Sequence, residues 1–195
     1  MVVRHNGYSE IERFEKVKGY WDDLRFPASA IRLSGATPPS ETSYKDGQVL
    51  SFASNQDNTI YFNAQMPHGY NMEDIEFHIH MVLPVSGAGA GAENVKFDLT
   101  YSWAEIGATF PSSTTLTATR DVQNDTLDDH IYFELGSVLK TNRATGGGVG
   151  VSSMLICSLT RDVSVANDYT SAVYYVSSDF HIVSNQPGSR EETSR

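Results

Sequence analysis

From Val49 to about Ser184, apolar and polar residues alternate in short runs broken by Gly, Pro, Asn and Asp, the period-two signature of half-buried strands. The pattern predicts eight strands, over 49–53, 58–64, 74–84, 94–106, 114–120, 130–136, 152–160 and 171–184. Alternation is clearest in the third and fourth. Ile75, Phe77, Ile79, Met81 and Leu83 point one way, and Asp74, Glu76, His78, His80 and Val82 the other. Val95, Phe97, Leu99, Tyr101 and Trp103 likewise oppose Lys96, Asp98, Thr100 and Ser102. An antiparallel sheet with one covered face requires such alternation. In the seventh strand Leu155, Cys157 and Leu159 oppose Met154 and Ile156, which predicts burial on both faces.

Eight strands joined by uneven loops with no helical crossover predict an all-β fold, an eight-stranded two-sheet jelly-roll-like sandwich. The paired cysteines of an antibody-type immunoglobulin sandwich are missing. Residues 1–48 show neither strand nor helical period and read as an extended N-terminal arm, with a short helix over 9–17 capped by Ser9 and Glu12. Residues 49–184 form the predicted sandwich and 185–195 a tail. The arm carries Tyr20, Trp21, Leu24, Arg25 and Phe26, which need a surface to pack on, in this chain or a neighbour.

Net charge is −10, and it resides in the body, because the arm and tail each balance acid against base. An acidic body without a basic stripe excludes ordinary nucleic-acid binding, where phosphate neutralisation supplies the affinity. No apolar run reaches the ~18 residues of a membrane span, and the opening residues lack the apolar stretch of a signal peptide. One cysteine, Cys157, allows no internal disulfide and predicts folding in a reducing cytoplasm. Its apolar neighbours make it a core residue.

Most chemical motifs fail on context. The glycine runs at 87–91 and 146–150 are not followed by Gly-Lys-Ser/Thr, so they read as loops, not phosphate cradles. No Gly-x-Ser-x-Gly elbow occurs. Asp125, Asp128 and Asp129 lack calcium-loop spacing and read as a solvated turn.

His78-Ile79-His80 is different, because both imidazoles project from the polar face of a strand. In jelly-roll order the third, sixth and eighth strands adjoin. Glu76, His78, His80, His130 and His181 then share one sheet face, with His80 nearer His130 and His78 nearer His181. Cross-strand side chains ~5 Å apart suit either a polar subunit contact or metal ligation. The contact is the favoured reading. No metal or other cofactor is expected, and His78 and His80 are the candidate ligands if one is present. A cupin-type enzyme also carries His-x-His, but with its ligands inside the barrel and a glutamate shortly after, which this chain lacks.

Three segments resemble a family of small structural proteins from tailed-bacteriophage virions: Gly19–Pro27 (GYWDDLRFP), Phe77–His80 (FHIH), and Ser178–Ile182 (SDFHI) running into Pro187–Glu192 (PGSREE). Phe77–His80 matches in part, because family members often place a proline before the second motif position. The resemblance implies a non-enzymatic virion component assembled in the host cytoplasm, a trimeric head-decoration (cement) protein. Its partners would be the major capsid protein or other virion proteins, with the arm as a contact element. A neck or tail-fibre adaptor is the alternative within the virion. A cupin-like metal-dependent enzyme and a carbohydrate-binding sandwich are the alternatives outside it.

Overall fold

The computed structural model describes residues 19–33, 35–86, 93–147 and 150–184. Its strands are β1 (Tyr20–Pro27), β2 (Ser40–Tyr44), β3 (Gly47–Phe52), β4 (Asn58–Gln65), β5 (Ile75–Val82), β6 (Asn94–Ala104), β7 (Thr114–Asp121), β8 (His130–Val138), β9 (Arg143–Ala144), β10 (Met154–Arg161) and β11 (Val173–Ser184). The eight predicted strands are β3 to β8, β10 and β11, each with ends within two residues of expectation.

They form an all-β sandwich. One sheet runs β2-β3-β11-β5-β8, and the other runs β4-β10-β6-β7 with the two-residue β9 alongside β6. Every long pairing is antiparallel. Among the eight predicted strands, the first, eighth, third and sixth therefore share one sheet, and the second, seventh, fourth and fifth share the other.

The inward faces are the apolar sets read from the alternation. Ile75, Phe77, Ile79, Met81 and Leu83 of the first sheet meet Val95, Phe97, Leu99, Tyr101 and Trp103 of the second, and all are buried. Aromatic rings tie the sheets together: Phe62 stacks on Phe77 at 5.8 Å and Phe52 meets Phe97 edge-on at 5.5 Å. Burying each such side chain stabilises the fold by roughly 1.5–3 kcal/mol. Cys157 lies in this core, where burial pushes its thiol pKa up and keeps it unreactive.

Two expectations fail. β10 is not buried on both faces. Ile156 is 50 % exposed, because β10 is central by hydrogen bonding while the outer face of its sheet turns away from the partner sheet. Residue 48 is also no boundary between arm and body. β1 pairs antiparallel with β11 along eight residues, Tyr20 opposite Ser184 through Pro27 opposite Ser177, and β2 forms a hairpin with β3. The cause is an open edge on β11. Only Val173–Tyr175 of β11 pair with β3, so the rest of that edge needs another strand to satisfy its backbone groups. Leu24 and Phe26 accordingly pack on this chain's own core, Phe26 lying 4.7 Å from Phe62. The predicted helix over 9–17, the tail 185–195 and the first glycine run fall outside the described residues.

Candidate functional site

Two bulges set the outer face of the first sheet. In β11 the register with β5 shifts between Tyr175 and Ser177, leaving Val176 as an extra residue. Inward positions change there from odd to even numbers, which turns Ser177, Asp179 and His181 outward. In β8 the register shifts opposite Phe77 and His78. Gly136 takes φ +115° at that point, a left-handed conformation that glycine adopts without strain. Beyond it Glu134 faces His78 and Tyr132 faces His80.

The result is a grid of polar side chains across four strands. One row holds Asp23, His181 and Glu76, from β1, β11 and β5. The next holds Arg25, Asp179, His78 and Glu134. The third holds Ser177, His80 and Tyr132. His130 closes the corner opposite Val82.

Asp179 is the hub of this grid. Its Oδ1 lies 3.2 Å from His78 Nδ1 and its Oδ2 2.9 Å from His80 Nε2. An ionised carboxylate only accepts, so both imidazoles donate to it. His80 Nδ1 is then an acceptor, and His130 Nε2 donates to it at 2.8 Å. The order of donation is therefore His130 to His80 to Asp179, with His78 donating from the other side. Burial pushes the Asp179 carboxyl upward, but the hydrogen bonds from His78 and His80 more than offset this and hold it below the usual carboxylate range. Asp179 is 4 % exposed and His78 only 1 %. The Tyr132 ring, 4.7 Å away, and the His181 ring, 5.2 Å away and edge-on, flank His78.

One atom is left over. His78 Nε2 is buried without a hydrogen-bond partner, and the Glu76 carboxylate beside it stands 3.7 Å away. Leaving a buried polar atom unsatisfied costs about 1–3 kcal/mol. His78, Asp179 and His181 each bring one potential ligand atom within 4.8 Å of the others.

The structure thus brings Glu76, His78, His80, His130 and His181 onto one face. It divides the arm residues. Trp21 and Arg25 lie on the same outer face; Trp21 is 57 % exposed and packs edge-on to His181 at 4.6 Å. Arg25 is exposed and donates to Asp23 at 3.2 Å. Tyr20 is exposed at the sheet edge, where its hydroxyl meets Ser184. Leu24 and Phe26 face inward and pack, partly buried, against this chain's own core. The His78 and His80 pair is also corrected as a ligand pair, because both ring nitrogens of His80 are engaged. Sequence reasoning missed Asp179 as the organising residue. Its outward position on the eighth strand was the available signal.

The acidic cluster disperses. Asp125 pairs with Arg120, Asp128 accepts from Tyr44 and Lys45, and Asp129 accepts from the backbone of Thr126. Arg161 is fully buried and donates to Asp168 and to the carbonyls of Phe52, Tyr169 and Ser171, a structural clasp on the loop before β11.

No family model matches the chain, and no curated protein matches it. Among solved structures, the crystal structure of a protein of unknown function from Shewanella oneidensis is similar at a TM-score of 0.32 and 8 % identity, over 97 % of this chain and 100 % of that one. Likeness at that level carries no statement about function.

Proposed function

We propose that this protein is a non-enzymatic structural component of a tailed-phage virion, a homotrimeric head-decoration protein. On this reading it contacts its capsid partners through the outer face formed by β1, β11, β5 and β8. One observation carries the proposal. Three segments that underlie the resemblance to phage virion proteins, far apart in sequence, lie on three adjacent strands of one sheet: β1 holds Gly19–Pro27's paired part, β11 holds Ser178–Ile182, and β5 holds Phe77–His80. Their outward residues, among them Asp23, Arg25, His78, His80, Asp179 and His181, meet on the outer face of that sheet, as expected of residues that serve a contact shared by a family.

The chemistry of the face agrees. Trp21 and Tyr132 stand exposed among charged and imidazole side chains, the mixture of aromatic and polar groups that protein contacts use. The two-sheet β-sandwich supports the reading, since viral capsid proteins employ the jelly-roll form of such a sandwich. That support is by analogy of fold alone. The described histidines of the face lie outside the sandwich, whereas a cupin-type enzyme needs its ligands inside. The inside is filled by phenylalanine, tryptophan and aliphatic side chains.

The test is to locate the chain in purified particles by reconstruction and to measure its copy number. A regular head lattice supports decoration. A handful of copies at one vertex would favour a neck or tail-fibre adaptor, and absence from particles would overturn the virion reading. Trp21→Ala is expected to reduce incorporation while leaving the isolated chain folded.

A further inference from the structure

We propose that this face is also a binding site for one transition-metal ion of the zinc class, ligated by His78 Nε2, His181 and the Glu76 carboxylate, with Asp179 orienting His78. The inference does not depend on the virion reading.

The first support is the orphaned nitrogen. His78 gives its Nδ1 hydrogen to Asp179, which fixes the tautomer and leaves a lone pair on Nε2. That lone pair is buried with no hydrogen-bond partner, 3.7 Å from the Glu76 carboxylate, and the His181 ring stands edge-on to the same imidazole with centroids 5.2 Å apart. A carboxylate holding one imidazole nitrogen while the other is free is the arrangement that second-shell carboxylates impose on metal-ligating histidines.

Spacing is the second support. Ligands bonded at ~2.1 Å in tetrahedral directions lie about 3.4 Å apart. Glu76 Oε2 stands 3.7 Å from His78 Nε2, close to that separation without any bond between them. His181 contributes a ligand atom within 4.8 Å of one on His78 and one on Asp179, and it is the register partner of Glu76 on the neighbouring strand. Asp23 stands 3.7 Å from His181 Nδ1, so a carboxylate flanks the second imidazole as well.

Charge and access agree. Glu76, Asp23, Asp179 and Glu134 border the histidines, and Arg25 is the cation in the same rows. Asp23 is already engaged by that Arg25. A divalent ion would offset the remaining negative charge. His78 is covered, but Glu76 and His181 are part-exposed, which leaves an entry from solvent. Two imidazoles and a carboxylate select zinc, cobalt or nickel over calcium and magnesium, which take oxygen ligands. His80 is excluded as a ligand by its bonds to Asp179 and His130.

The experiment is equilibrium dialysis of the full chain against zinc near pH ~7, with cobalt absorption as a second readout of imidazole and carboxylate ligation. One ion per chain is expected. His181→Asn should weaken binding by about a hundredfold or more and Glu76→Gln by about tenfold or more, while His130→Gln should change it less than about threefold. Glu76 is the safer variant for folding, being 41 % exposed on its side chain. No binding at micromolar zinc would overturn the proposal. So would binding unaltered by both His181→Asn and Glu76→Gln, or one ion per three chains, which would mean a ligand set shared between copies. Failure here would leave the particle-location result untouched, so the two readings fail separately.

Discussion

Phe26→Ala should destabilise the isolated chain far more than Trp21→Ala, although both residues sit on the same short strand near the N-terminus. Phe26 lies on the inward side of β1, 4.7 Å from Phe62 and 5.9 Å from Phe180. Truncating a fully buried phenylalanine costs about 3–5 kcal/mol, transfer and cavity terms together. Phe26 is only half-buried, at the rim of the core, so about 2 kcal/mol is expected. Tyr175 Oη, which donates to the Phe26 carbonyl at 2.6 Å, is unaffected by the substitution because it bonds the backbone. Trp21 points outward, is mostly exposed and packs edge-on to the His181 ring, so its loss should stay within about 0.5 kcal/mol. For a chain of this size 1 kcal/mol moves Tm by about 2–4 °C, which sets the Phe26→Ala shift near 4–8 °C and the Trp21→Ala shift near 1–2 °C. Removing residues 1–27 should cost more than Phe26→Ala, because eight residue pairs along β11 lose their partner strand. Urea denaturation followed by circular dichroism measures all three. Equal midpoints for Phe26→Ala and wild type, or an unaltered midpoint on truncation, would refute the docking of β1 on its own body.

Arg161→Met should cost about 3–5 kcal/mol, because it strands the part-buried Asp168 carboxylate and the carbonyls of Phe52, Tyr169 and Ser171; the same urea titration reads it, and a loss below about 1 kcal/mol would contradict the clasp. Hydrogen bonds from Lys96 and then Ser164 hold the Asp162 carboxyl down at about 2. A depressed folded-state value stabilises above the unfolded value near ~4 and loses that contribution as pH falls through about 2. Asp162→Asn is therefore expected to cost about 1 kcal/mol near neutral pH, after discounting for solvent screening, and almost nothing near pH ~2; a pH-independent difference would mean that the pair with Lys96 is idle.

The strands and their faces were legible in the sequence because strand periodicity is a local property. Whether Phe77 points in and His78 out depends only on their being neighbours in an extended chain. The eight strands, the buried sets on β5 and β6 and the outward histidines follow from that rule, and so does the core position of Cys157. β1 and β2 were not legible. Tyr20–Pro27 mixes two aspartates and an arginine with its aromatics, and Ser40–Tyr44 is polar on both sides, so neither shows a period of its own. They become strands because β11 and β3 offer unsatisfied edges, and that need is set by partners more than a hundred residues away for β1. The bulges at Val176 and opposite Phe77 and His78 belong to the same class: an extra residue leaves the composition unchanged and alters which side chains meet. Sequence spacing made His78 and His80 the natural pair. The sheet instead gave His80 to Asp179 and His130, and turned His78 toward His181 and Glu76. Which groups share a face is written in the order of residues along each strand; which of them touch is decided by strand order and register, and those are settled by the energy of the whole sandwich.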